Sequence, residues 1–80
     1  MMVLDTRGLD YTDSFRRVSS IVSEDINDNK EFIVLVETQE KSYVIKGFAE
    51  ALLGCSASLD EQSNTLFVKI SGSSERVLEV

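Results

Sequence analysis

The chain holds one thiol, Cys55, and no histidine. Sulfur chemistry could run only through that cysteine, and no hydroxyl has an imidazole as general base. Cys55 follows Gly54 and opens an alternating stretch, Cys55-Ser56-Ala57-Ser58-Leu59. A cysteine in such a setting is commonly buried and inert. The other polar group is Tyr11-Thr12-Asp13-Ser14. Thr12 or Ser14 as a nucleophile would need Asp13 as base, so both hydroxyls and Asp13 read first as helix-capping groups. Asp5, Asp10 and Asp13 crowd one turn, but their spacing matches no calcium loop. Glu24, Asp25 and Asp28 read as a solvated helix end. No metal site and no cofactor is expected.

The elements that place these residues follow from hydropathy. Val3 and Leu4 start a first strand over 2–6. Gly8 allows the positive φ of a sharp turn. Thr12 or Asp10 can cap a helix beginning near Asp13 and running to Asp25 or Ile26. Phe15, Val18, Ile21, Val22 and Ile26 recur at helical spacing, opposite Arg16, Arg17, Ser20, Ser23 and Glu24. The Asp and Asn residues over 25–29 then break the helix, with Asn27 or Asn29 suited to αL geometry. The unbroken apolar run Phe32-Ile33-Val34-Leu35-Val36 predicts a central second strand over 31–37.

Thr38 can cap a second helix reaching Leu53, with Val44, Ile45, Phe48, Ala49, Leu52 and Leu53 as its buried face. Gly47 inside that helix costs roughly 1 kcal/mol relative to alanine. Close approach to the other helix or the sheet would explain it; a surface kept bare for a partner is the alternative. Gly54 should stand at C′. A third strand over 55–59, a turn over 60–64 and a fourth strand over 65–71 complete the order β-α-β-α-β-β. The economical packing is an α+β fold: a two-layer α/β sandwich with two helices on one face of a four-stranded mixed sheet. We expect a single domain over 1–71, with 72–80 a tail, either flexible or an extra edge strand.

The stretch Leu4-Asp5-x-Arg7-Gly8-Leu9 resembles the opening of the TusA/SirA-like family of small sulfur carriers. There Leu-Asp-x-x-Gly-x-x precedes Cys-Pro-x-Pro, whose cysteine carries sulfur as a persulfide. In this chain Tyr11 stands at the cysteine position, and Thr12 and Ser14 stand at the two prolines. The order of elements fits the family to about Ile70, and the tail is an addition to it. The resemblance thus implies the same two-layer sandwich without the family nucleophile, since a phenol near pKa ~10 forms no persulfide. It implies a non-catalytic protein-binding module whose contact surface lies around Arg7, Gly8, Tyr11, Thr12 and Asp13. Two alternatives remain: a sulfur carrier or sulfurtransferase using Cys55, and a structural subunit or oligomerisation module.

Eighty residues at net charge −6 argue against nucleic acid, which needs clustered Lys and Arg. The one basic doublet is Arg16-Arg17. An acidic surface suits a basic protein partner or solubility alone. No apolar run approaches the ~20 residues that span a bilayer. A lone thiol without a signal peptide fits the cytoplasm, and a monomer or weak homo-oligomer is expected.

Overall fold

Alternating apolar residues build the strands, and their register decides which face becomes the core. A computed structural model describes residues 2–24 and 31–72. The elements are β1 (Met2–Asp5), α1 (Tyr11–Glu24), β2 (Glu31–Val36), α2 (Gln39–Ala51), β3 (Ser56–Gln62) and β4 (Thr65–Ser71). The sheet order is β1-β2-β4-β3. β1 runs parallel to β2, and the other two pairs are antiparallel. The mixed four-stranded sheet and the central place of β2 match the sequence expectation. β4 covers the second edge of β2, so its apolar run is flanked on both sides.

Register places Leu4, Val34, Val68 and Leu59 across one row, with Phe32, Ile70 and Ala57 in the row beside it. These residues join Val18 of α1 and Ile45 and Ala49 of α2 in one apolar cluster. Both helices therefore bury their stripes against the same sheet face. The other face carries Val3, Ile33, Leu35 and Phe67.

Several local expectations change. α1 begins at Tyr11, not near Asp13, because Asp10 is the cap. Asp10 Oδ1 accepts from Asp13 N at 2.8 Å, and Ser14 N donates to Asp10 O at 3.0 Å. Thr12, Asp13 and Ser14 thus lie inside the first turn and cap nothing. The expected end of α1 at Asp25 or Ile26, the Asn27 and Asn29 geometry and most of the tail lie outside the described residues. Thr38 caps α2 as expected, its side chain accepting from Lys41 N at 3.1 Å.

Leu52 does not join the buried face of α2. It is the C-cap and 73% exposed. Gly54, expected at C′, takes φ +69° one residue beyond it, because Leu52 is the C-cap and Leu53 stands at C′. The third strand extends to Gln62, and the hairpin turn shrinks to Ser63-Asn64. Both turn residues have positive φ, 53° and 66°. Such a two-residue turn matches the strands' right-handed twist and lets pairing continue to Gln62↔Thr65.

Gly47 is not explained by close approach. A Cβ built there meets nothing within 4 Å. Gly47→Ala should therefore gain the full helix-propensity difference of about 1 kcal/mol. Thermal unfolding followed by circular dichroism should show Tm rising by about 4–8 °C. An unchanged or lower Tm would mean that position 47 is constrained in a way its empty surroundings do not show.

Candidate functional site

The candidate site is the loop between β1 and α1, and its shape is set by contacts from both β2 and α2. Thr6 is fully buried. Its N donates to Leu35 O at 3.1 Å and its Oγ1 to the same oxygen at 2.7 Å, continuing the ladder past the end of β1. Leu9 N donates back to Thr6 O at 3.1 Å, closing a tight turn around Gly8. Gly8 takes φ +87°, as the turn demands.

The turn is held from beneath by Lys41 on α2. This lysine is 3% exposed. Its Nζ donates to Thr6 O at 2.6 Å, Leu9 O at 2.8 Å and Glu37 Oε1 at 3.0 Å. An ammonium has three donors, and all three are used. Glu37 Oε2 accepts from Gly8 N at 3.2 Å, so one carboxylate ties the lysine to the turn. The Lys41 ammonium holds the Glu37 carboxyl below its usual range, with the Gly8 amide adding to the effect. Sequence reading missed Lys41. Its spacing was a signal: positions 41, 45 and 49 form the buried stripe of α2, and Glu37 stands four residues before it.

Arg7 is exposed but not free for a partner. It holds both carboxylate oxygens of Asp5, Nε to Oδ1 at 2.9 Å and a terminal guanidinium nitrogen to Oδ2 at 2.8 Å. Arg7 N also donates to Asp5 Oδ1 at 3.0 Å. The guanidinium, then the backbone amide, pull the Asp5 carboxyl down from 3.8 to about 2. Because the folded-state value is depressed, the stabilisation is present above pH ~4 and is lost as pH falls toward 2. Arg7→Ala should return the Asp5 titration, followed by NMR of its side-chain carboxyl carbon, toward the ordinary range. A midpoint still near 2 would mean that the pair does not set it.

Tyr11 opens α1 and is 41% exposed. Its ring stacks on Phe15 at 6.0 Å, and Phe15 stacks on Phe48 of α2 at 4.3 Å. Tyr11 is thus the solvent end of an aromatic column across the two helices. It borders an open hollow of about 280 Å³ with Leu9, Asp10, Glu37, Thr38 and Lys41. Thr12 is exposed beside it, and Asp13 pairs with Arg16 at 2.7 Å. Ser14 is fully buried, and its Oγ has no hydrogen-bond partner among the described residues.

The structure brings Gly8, Tyr11, Thr12 and Asp13 together at one end of the sheet, with Arg7 beside them in its pair with Asp5. Cys55 is elsewhere. It is buried just before β3, whose first residue pairs with Ser71, itself paired with Glu31. The β1–α1 loop emerges instead at the Asp5↔Leu35 end. Cys55 and Tyr11 therefore lie at opposite ends of the strands. Chemically, the loop offers a fixed backbone, an exposed ring and carboxylates, which suit recognition more than covalent transfer. Among the described residues no group of three His, Cys, Asp or Glu could hold a metal ion, and no helix is long and apolar enough to cross a membrane.

No family model matches the chain, and no curated protein matches it. Among solved structures it is similar to a SirA-like protein from Desulfitobacterium hafniense. The TM-score is 0.76 at 20% identity, over 91% of this chain and 99% of that one. The chain has a SirA-like fold.

Proposed function

We propose that this chain is a non-catalytic protein-binding module built on a sulfur-carrier-like fold. The observation that carries the reading is the residue at the start of α1. Where the resembled family keeps its persulfide cysteine, this chain presents Tyr11, exposed at the tip of a stacked aromatic column. A ring so braced offers contact area at small entropic cost, as interface aromatics do. Asp10, Glu37 and the turn around Gly8 surround it and favour a partner with basic groups. Arg7 contributes by bracing Asp5 and the loop's exit from β1.

Burial of Cys55 at the far end of the strands weighs against sulfur transfer through that thiol, because thiolate chemistry needs access and a stabilised anion. The module comprises the single domain over 1–71 and acts in the cytoplasm as a monomer or weak homo-oligomer.

A pull-down from native extract with the wild-type chain, compared with Tyr11→Ala, tests the reading. At least one partner should be lost with the ring. If every captured protein is retained by Tyr11→Ala, the surface is misassigned. Intact-mass analysis after incubation with a cysteine-desulfurase sulfur donor provides the second arm. No mass gain is expected, and one added sulfur on Cys55 would make the chain a carrier instead.

A further inference from the structure

We propose that the outer edge of β1, with the groove beside it on α1, docks an extended acidic segment of a partner protein as a fifth strand. The surface is distinct from the Tyr11 hollow and does not rest on that reading.

Among the described residues β1 is an edge strand. In a parallel ladder, alternate residues turn both backbone groups toward the neighbour. The bond from Thr6 N to Leu35 O sets the phase. Leu4 therefore faces β2, while Val3 and Asp5 turn N–H and C=O outward. The two edges of the sheet differ. β3 carries Asp60 and Glu61, charges that discourage strand addition. β1 has no charge over Met2, Val3 and Leu4, its one charged residue, Asp5, is paired with Arg7, and Val3 is 55% exposed.

Beside this edge lies an open groove of about 420 Å³. Leu4 and Ile21, both packed on the core, give it apolar surface. Asp13, Arg16, Arg17 and Ser20 supply the polar surroundings. Arg17 has no ion-pair partner among the described residues, and Arg16 pairs only with exposed Asp13. The groove thus carries one uncompensated positive charge on a chain of net charge −6.

Charge decides the occupant. Side chains alternate between the two faces of a strand, so an extended segment with alternating apolar and acidic residues sets main-chain bonds on Val3 and Asp5, its apolar groups beside Val3 on the open face and its carboxylates toward Arg17 on the helix face. A second copy of β1 would bring another Arg16-Arg17 doublet against the first, and like charges at that range disfavour the pairing.

Amide NMR titration of the full chain with two synthetic hexapeptides, alternating Val-Glu and alternating Val-Lys, tests the proposal. The Val-Glu peptide should shift Val3, Asp5 and the amides from Arg17 to Ile21. Arg17→Glu should weaken it at least about fivefold, whereas Lys69→Glu, an equal charge change on the open sheet face, should alter it less than about twofold. Val3→Pro removes an outward donor that no ladder bond uses, so it should keep the native circular dichroism and lose the binding. Any of three results overturns the proposal: no shift at Val3 and Asp5 at millimolar Val-Glu peptide, equal binding of the Val-Lys peptide, or shifts there that track protein concentration without peptide. The last result would assign the edge to a second copy.

Discussion

Lys41→Met is expected to destabilise the domain by roughly 2–4 kcal/mol and lower Tm by roughly 10–30 °C. Methionine keeps much of the packing of the lysine stem but donates no hydrogen bond. Leu9 O then loses the ammonium bond, while Thr6 O keeps only the Leu9 amide. Glu37 loses its cation, yet it is exposed enough for water to take over part of that role. The cost therefore falls on the two carbonyls and the turn they shape. Lys41→Arg should not rescue, because a planar guanidinium cannot place three donors around one point. Urea unfolding measures the loss, and amide exchange at Gly8 and Leu9 localises it. If Lys41→Met unfolds at the wild-type midpoint, the buried ammonium is not what secures the loop.

Phe32→Ala is expected to cost about 3–5 kcal/mol. Phe32 is almost fully buried and sits in register between Met2 and Ile70. A domain this small keeps only about 3–5 kcal/mol in total, so the variant should show no cooperative transition at 25 °C. Phe32→Leu retains most of the volume and should fold, at a cost of about 1.5 kcal/mol. A cooperative Phe32→Ala with a nearly native midpoint would mean that the β1–β2–β4 face collapses around the lost ring.

The fold was legible in the sequence wherever pattern and local chemistry agreed. Alternation in Leu66, Val68 and Ile70, helical spacing in α1, the Thr38 cap and the Gly8 turn each depend on neighbours within a few residues. Boundaries were less legible where two caps competed. Asp10 and Thr12 are both good N-caps, and the carboxylate of Asp10, reaching Asp13 N, moves the start of α1 two residues earlier. By sequence the third strand ends at Leu59, because Asp60 and Glu61 look like turn residues. They are solvent-facing edge residues, and the actual turn needs only two positions of positive φ. Leu52 looked buried by spacing, but α2 ends beneath it.

The site divides in the same way. That position 11 is a tyrosine and not a thiol, that Gly8 can take the turn and that Cys55 is the one sulfur nucleophile are properties of the chain as written. Tertiary structure alone decided that Arg7 is held by Asp5, that Lys41 is buried against two carbonyls from a loop over thirty positions away, that Gly47 has open space around it and that Cys55 lies at the opposite end of the strands from Tyr11. The physical reason is range. Propensity, capping and turn preference act between adjacent residues, whereas burial, charge pairing across elements and the distance between two side chains exist only once the sheet has brought distant segments into register.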